Sequence, residues 1–462
     1  LQDGETVEID IEKIGRMAEI PDLWDLTMGS WDHDSRTSRF AEEAAEEEFV
    51  RGVKKLTSKP VVGVGRFTSP DQMVRQIRQG ILDFIGAARP SIADPFIPKK
   101  IEEGRLDDIR ECIGCNICIS GDMTMSPSRC TQNPAMGEEW RRGWHPELIF
   151  SNVIQAIWRG IGAGPAGLEA ARALGQRGYD VALAEASTEL GGRVARECRL
   201  PGLSAWGRVR DYRAGQIAKM PNVEIYYDSR LDADQVLEFG FDQVLVSTGS
   251  PWRRDGVAHF HTRPIPIAAD AEVLTPDDLM AGKRPSGPSA GKNVVLYDDD
   301  HYYMGGVLAE LLVKGGYKVT LVTPSSDVST WSKNTIDQFK IQARLIELGV
   351  ALVTARAVTT ITRDSVETAC FYTGRTDRRA ADAVVLVTAR LPNDSVYLDL
   401  KARAAEWQDA GIRAVKGAGD AWAPSTIAAA VYAGRRYAEE LDAPDIGDAL
   451  PFKREITELL AD

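Results

Sequence analysis

Four cysteines fall between positions 112 and 130, as Cys112-x2-Cys115-x2-Cys118 followed by Cys130. Two-residue gaps let one tight loop set three sulfurs around a single centre. A fourth thiolate closes the site from a neighbouring turn, which is the pattern of a 4Fe–4S cluster. Zinc also accepts four thiolates, but structural zinc usually takes two separated C-x2-C knuckles. The chain has six cysteines in 462 residues. Such clustering, unlike the spread pairs of a disulfide scaffold, points to metal or redox chemistry. Cys198 and Cys370 stand alone and read as ordinary thiols.

A second motif, Gly162-Ala163-Gly164-Pro165-Ala166-Gly167, opens a helix at Leu168–Leu174. In G-x-G-x-x-G the first glycine makes the turn and the second lets the backbone approach a pyrophosphate. The third lets the helix pack on the sheet. Glu185 ends the next strand, where a carboxylate grips a ribose hydroxyl. Gly191-Gly192-Arg193 forms another close-approach loop, and Gly419-Asp420 precedes a helix at Ser425–Glu440. Gly162, Gly164, Gly167, Glu185, Gly192, Arg193 and Asp420 are therefore expected to bind ADP or FAD. One residue jars: Arg159 lies in the strand before the turn. Helices cover such a sheet on both faces, and a buried unpaired charge is expensive. A reading-frame error over Leu148–Gly160 would account for it.

A second nucleotide-like half begins at the strand Asn293–Tyr297. Asp298-Asp299-Asp300-His301 follows where a phosphate turn would need glycines, and acids repel phosphate. This half is expected to keep the fold without a nicotinamide nucleotide.

Upstream, Gly63-Val64-Gly65-Arg66 ends one strand run (Pro60–Arg66) and Gly86-Ala87-Ala88-Arg89 the next (Ile81–Arg89). In a β/α barrel the loops after the last two strands make the phosphate site. Gly65, Arg66, Ala88 and Arg89 would suit an FMN phosphate. Trp31-Asp32-His33-Asp34 follows a strand candidate at Pro21–Ser30, on the same rim. Trp31 suits a cationic amine by cation–π attraction, and Asp34 suits a base-orienting or cation-holding role.

The elements that position these residues alternate strand and helix, which implies parallel sheets. Helices are read at Ala41–Leu56, at Ser69–Gln79 with Ser69 or Asp71 as N-cap, and at Val307–Lys314. Compact strands are read at Gln243–Gly249, Lys318–Val322 and Ala383–Thr388, and a linker loop at Gly282–Gly291. The net charge of −13 argues against nucleic-acid binding. No window reaches the ~18 apolar residues of a membrane span. No secretory signal is visible, so a cytoplasmic protein is expected. The chain opens at Leu1, not methionine, and its start is expected to be missing.

The stretch Trp24–Glu147 resembles the trimethylamine/dimethylamine dehydrogenase family, which includes histamine dehydrogenase and related N-methyl-amine demethylases. The carrying motifs are SKPVVGVGRFTSPD (Ser58–Asp71), IGAARPSIADPFIPKKIEEGR (Ile85–Arg105), DDIRECIGCNICIS (Asp107–Ser120) and RCTQNPAMGEEWRRGWHPE (Arg129–Glu147). LPGLSAWGRVRDYR (Leu200–Arg213) and TIAAAVYAGRRYAEEL (Thr426–Leu441) extend the resemblance.

The resemblance implies an α/β chain: the C-terminal part of a (β/α)8 FMN barrel, about strands six to eight, over 1–110. A 4Fe–4S segment over 111–150 would follow. Then come an ADP- or FAD-type domain over 151–265 plus 391–462 and a degenerate NAD-like domain over 266–390. It implies oxidative demethylation or deamination of a small amine at FMN. Electrons would pass through Cys112, Cys115, Cys118 and Cys130 to an electron-transferring flavoprotein, in a homodimer. Arg66 and Arg89 match the FMN phosphate region, Trp31 a wall of the substrate bowl, and Asp34 the carboxylate that works with a His/Tyr pair. That pair, the cysteine carrying covalent FMN and five barrel strands are absent from the chain. No tryptophan occurs in Ile119-Ser120-Gly121-Asp122, where trimethylamine dehydrogenases place one. This favours a dimethylamine-like substrate. Two alternatives stand beside it: an NAD(P)H-dependent enoate or dienoyl-CoA reductase, and an inactive iron–sulfur and nucleotide-binding module.

Overall fold

The computed structural model describes residues 12–27, 31–149 and 157–442. The chain forms two compact units, each built from separate stretches. The first is Leu1–Ser120, Arg196–Gly207 and Pro251–Leu391; the second is Gly121–Ala195, Arg208–Ser250 and Pro392–Asp462.

In the first unit, strands Trp24–Leu26, Val61–Gly63 and Phe84–Ile85 make a three-stranded parallel sheet in chain order. Helices Glu47–Lys54 and Pro70–Arg78 are the crossovers that parallel pairing demands. Val50, Val53, Val61, Ile81 and Leu82 pack between the layers. Three strands make an arc of a β/α barrel and cannot close one.

These strands are shorter than the apolar runs suggest. Of Pro21–Ser30, only Trp24–Leu26 is strand, and positions 28–30 lie outside the described residues. In Ile81–Arg89, the N–H groups of Ile81 and Leu82 cap the preceding helix by donating to the Gln76 carbonyl. Their side chains turn into the core, 1% and 2% exposed. Ala88 and Arg89 then open a helix, Ala88–Ala93, and do not end a strand. The helix read over Ala41–Leu56 also shortens, to Glu47–Lys54.

The same unit holds a five-stranded parallel sheet. Its spatial order is Ala351–Val353, Lys318–Val322, Asn293–Asp298, Ala383–Val387, Val273–Leu274. Beside it lies an antiparallel sheet that the apolar pattern did not reveal: Arg356–Ile361, Ser365–Cys370 and Thr376–Ala380.

The second unit is built on another five-stranded parallel sheet, ordered Ala414–Gly417, Gln243–Val246, Ile157–Ile161, Asp180–Ala184, Val223–Tyr226. The chain enters at the central strand Ile157–Ile161, fills one side, then crosses to the other. The crevice at that reversal is where such sheets bind ligands. The helix Pro165–Gln176 packs against Ile427–Glu440 so closely that a Cβ on Gly434 would stand 2.2 Å from the Ala166 carbonyl oxygen.

Arg159 is buried in the central strand, and it is not without partners as the sequence suggested. Its guanidinium stacks on Phe241 and Phe239, 3.9 and 4.6 Å from the ring centres, with Tyr226 at 6.0 Å. The aromatic faces answer part of the charge, while Arg159 Nε and Nη1 are buried without a hydrogen-bond partner. Positions 150–156 of the stretch Leu148–Gly160 lie outside the described residues.

Candidate functional site

The nucleotide turn is assembled in the second unit. Gly162 has φ +96, and a Cβ there would meet the Ser247 carbonyl oxygen at 2.6 Å. Ser247 Oγ donates to the Gly162 carbonyl at 2.8 Å and so fastens the turn to the neighbouring strand. A Cβ on Gly167 would stand 2.0 Å from the Gly162 carbonyl oxygen, so the helix can approach only with glycine there. Gly164 differs: no atom lies within 4 Å of where its Cβ would be. That open face, at the start of a helix with no side-chain cap, is where a pyrophosphate would approach.

The other nucleotide residues converge on this turn. Glu185 Oε2 accepts from the Ala163 N–H at 2.9 Å, and Oε1 accepts from the Ser187 N–H and Oγ. The Gly191 N–H donates to the Ala163 carbonyl, and Gly192 would bring a Cβ within 3.2 Å of Gly164 Cα. Arg193 Nη2 stands 3.8 Å from Asp420 Oδ2, which also accepts from Ser250 Oγ at 3.1 Å. Asp420 Oδ1 accepts from the Ser425 N–H. The cradle fits an adenine dinucleotide or ADP. Ser247 and Ser250 were missed in the sequence because neither lies in the glycine motif.

The cysteine segment supplies four sulfur side chains. All four cysteines are half-buried and outside any disulfide. The Gly114 N–H points to Cys112 Sγ at 3.3 Å, and the Gln132 N–H to Cys130 Sγ at 3.4 Å. Gly114 and Asn116 both take left-handed backbone, φ +61 and +57, which bends the loop between its cysteines. Burial, and then the neighbouring Cys115, push the Tyr302 phenol well above its ordinary range. Among the described residues no three His, Cys, Asp or Glu side chains form a finished metal cage. The fit to a cluster therefore rests on the donor set and the turn geometry.

On the barrel arc, Gly65 (φ +153) and Arg66 (φ +55) form a strained turn after the strand Val61–Gly63. Arg66 Nη1 would be 3.0 Å from a Cβ on Gly114, which places it against the cysteine loop. Arg89 holds the rim together. Its Nη1 donates to the Ser35 and Arg36 carbonyls and to Asn116 Oδ1 at 2.6 Å, and its Nη2 to the Asp34 carbonyl. Trp31 and Asp34 lie in the short helix Trp31–Asp34 on that rim, with Trp31 half-exposed at 49%. Ser69 sits at the N-cap of Pro70–Arg78 without capping it through its side chain. Glu43 Oε2 instead accepts the Thr68 and Ser69 N–H groups and Ser69 Oγ. Asn116 and Glu43 gave no sequence signal, because their partners are distant along the chain.

In the other five-stranded sheet, Asp298 is fully buried. Its Oδ1 accepts the Asp300 and His301 N–H groups, and its Oδ2 would be 2.4 Å from a Cβ on Gly305. A carboxyl group of the chain itself thus occupies the start of the helix Tyr303–Lys314. Burial pushes its pKa up to about 7. Asp299 is taken by His301 Nε2 at 3.0 Å and by the Phe260 N–H.

Residues 3–108 match the NADH:flavin oxidoreductase / NADH oxidase family, and residues 161–417 the pyridine nucleotide-disulphide oxidoreductase family. The chain is 39% identical over 464 residues to the dimethylamine dehydrogenase of Hyphomicrobium sp. (strain x), a match spanning 94% of this chain and 62% of that protein. The structure of histamine dehydrogenase from Rhizobium sp. 4-9 aligns with a TM-score of 0.96 at 60% identity, covering 99% of this chain and 67% of that one. The structure of 6-hydroxypseudooxynicotine amine oxidase from Pseudomonas geniculata N1 aligns with a TM-score of 0.89 at 49% identity, covering 93% and 64%. The chain thus spans roughly two thirds of the length of these relatives, between 62% and 67%.

Proposed function

The chain belongs to the trimethylamine/dimethylamine dehydrogenase family, and on that premise we propose that the whole protein oxidises a small amine at FMN. Electrons then leave through a 4Fe–4S cluster to an electron-transferring flavoprotein. The cysteine loop carries this reading: four cysteines outside any disulfide, two of them accepting backbone N–H groups, in a chain whose family matches are flavin and pyridine-nucleotide oxidoreductases.

When bound, FMN takes an electron pair from the amine and the cluster passes electrons on singly. The chain's own residues hold and orient. Cys112, Cys115, Cys118 and Cys130 would ligate the cluster. Gly65, Arg66, Ala88 and Arg89 would line the FMN phosphate, with Arg89 also fixing the rim through the Asp34–Arg36 carbonyls. Trp31 offers its exposed indole face to a cationic amine. Asp34 supplies a carboxylate beside it. Gly162, Gly164, Gly167, Glu185, Gly192, Arg193 and Asp420 would bind ADP.

In this reading 1–110 belongs to the FMN barrel and 111–150 to the cluster segment. The ADP domain is 151–265 with 391–462, and 266–390 is a degenerate nucleotide domain. The protein would work as a cytoplasmic homodimer. The substrate read from the sequence is dimethylamine-like. The higher identity to histamine dehydrogenase favours histamine as a second reading. The reductase alternative needs a nicotinamide nucleotide where the Asp298 carboxyl group stands, and is disfavoured for that reason.

The test is anaerobic flavin bleaching in the full-length protein. Bleaching by dimethylamine or histamine, but not by NADPH, supports the proposal. Bleaching by NADPH alone overturns it.

A further inference from the structure

Trp31 and Asp34 stand on a single helical turn, Trp31–Asp34, closed by the Ser35 N–H donating to the Trp31 carbonyl at 2.9 Å. One turn cannot hold itself in water, because it fixes several dihedrals for one hydrogen bond. Its last carbonyls also have no partner within the helix. Side chains of the first unit supply the donors. Arg36 Nε donates to the His33 carbonyl at 3.1 Å, and Arg89 to the carbonyls of Asp34, Ser35 and Arg36.

Arg36 is itself held by Glu46. Its Nη2 donates to Glu46 Oε1 at 2.6 Å, and Glu46 is only 4% exposed. His33 Nδ1 lies 3.8 Å from the same oxygen. A short charge-assisted bond to a buried acceptor fixes the guanidinium in one place. Glu46 stands at the N-cap of helix Glu47–Lys54, yet its side chain does not cap that helix. The carboxylate is turned to Arg36 instead. The backbone around Glu46 rests on another turn. The Ala44 N–H donates to the Gly65 carbonyl at 2.7 Å, with Ala44 in left-handed backbone at φ +60. A Cβ on Gly65 would stand 3.5 Å from the Glu46 nitrogen. Positions 44–46 thus meet the turn assigned to the FMN phosphate with their backbone, and the amine-side turn with the Glu46 carboxylate.

We propose that Glu46, acting through Arg36, is a positioning residue for amine oxidation: it sets the Trp31–Asp34 turn in register with the Gly65–Arg66 turn. The inference rests on the amine-oxidation reading above. Asp34 lies at the end of the turn that Arg36 fastens, so loosening Arg36 displaces Asp34 more than Trp31. Misplacing a group by about 1 Å can cost roughly a hundredfold in rate. The loss therefore falls on the oxidation step more than on amine binding.

The experiment is rapid-mixing reduction of the full-length, flavin-loaded protein by dimethylamine and by histamine without oxygen. Flavin content is assayed in each variant. Amide exchange over positions 31–36, followed by mass spectrometry, gives a readout that needs no turnover. Glu46→Ala should speed that exchange and lower the limiting rate of flavin bleaching roughly ten- to hundredfold, with a smaller change in the half-saturating amine concentration. Glu46→Gln keeps an oxygen for Arg36 and should recover most of the rate. Arg36→Met, at a side chain 23% exposed, breaks the same link from its other end and decides the matter if Glu46→Ala does not fold. A lowered limiting rate in loaded variants, reversed in Glu46→Gln, is the expected result. The parent's limiting rate, or a change in half-saturation alone, overturns the role of Glu46 and leaves amine oxidation standing. A parent protein that neither amine bleaches overturns the amine reading and this inference with it.

Discussion

The guanidinium of Arg159 stands 3.9 Å from the centre of the Phe241 ring, inside the central strand of a parallel sheet. Phe239 and Tyr226 complete an aromatic surround. A desolvated cation–π contact contributes ~2 kcal/mol, while desolvating the charge costs several kcal/mol, and Arg159 Nε and Nη1 have no hydrogen-bond partner. Arg159→Leu should therefore leave stability unchanged or raise it by ~1–3 kcal/mol. Arg159→Glu should cost ~3 kcal/mol or more, because ring faces repel an anion. Urea unfolding measures both, and a large loss in the leucine variant would contradict the account.

The three glycines of the nucleotide turn should separate fold from binding. Gly162→Ala and Gly167→Ala place a Cβ 2.6 and 2.0 Å from carbonyl oxygens, so each should cost ~2 kcal/mol or more without any ligand. Gly164→Ala meets nothing within 4 Å and should leave the ligand-free melting temperature unchanged. It should instead abolish stabilisation by ADP, which in the parent is ~2.7 kcal/mol at a hundredfold excess over Kd. Thermal shifts with and without ADP read out all three.

Lys100 and Asp94, 1% exposed each, form an ion pair at 2.8 Å just before the cysteine segment. Lys100 Nζ also donates to the Asp108 carbonyl, and Asp94 accepts the Phe96 and Arg110 N–H groups. Lys100→Met leaves a buried carboxylate without its cation and should cost ~3–5 kcal/mol. Adding Asp94→Asn removes the stranded charge while keeping an oxygen for the N–H donors. The double variant should recover part of the loss, and a double-mutant cycle in urea measures how much.

What the sequence disclosed follows from how local each feature is. The turn at Gly162–Gly167 was legible because strand, turn and helix are contiguous and each glycine answers a steric demand within the motif. The strands Lys318–Val322 and Ala383–Val387 were legible as compact apolar runs. The antiparallel strands Ser365–Cys370 and Thr376–Ala380 were not, since SVETAC and TDRRA carry no apolar run and SVETAC buries the polar Ser365 and Thr368. Asn116 bonds to the Ser35 and Thr335 carbonyls, 81 and 219 positions away, which no local pattern encodes. Arg159 misled because its partners Phe239 and Phe241 lie far from it in sequence.

Asp337 should make stability depend on pH. Burial pushes its carboxyl group from 3.8 to about 7, against the pull of the Thr37 hydroxyl, Arg39, Lys340 and Arg89. Its Oδ1 accepts from Thr37 Oγ1 at 3.0 Å. The unfolded chain releases this proton near 3.8 and the folded chain near 7, so between those values the folded state binds more protons. The associated stability is fully present below about pH 4, falls as pH rises, and is lost once pH passes about 7. Asparagine keeps an acceptor for Thr37 and never ionises. Asp337→Asn should match the parent near pH 4 and exceed it by ~2–4 kcal/mol at pH 8, since each pKa unit corresponds to about 1.36 kcal/mol. Groups that titrate alike in both proteins cancel in the difference. Urea unfolding of parent and variant at intervals between pH 4 and 8 measures it. A gap that stays constant across that range would show that Asp337 is ionised throughout and that its burial is compensated by Arg39 and its neighbours.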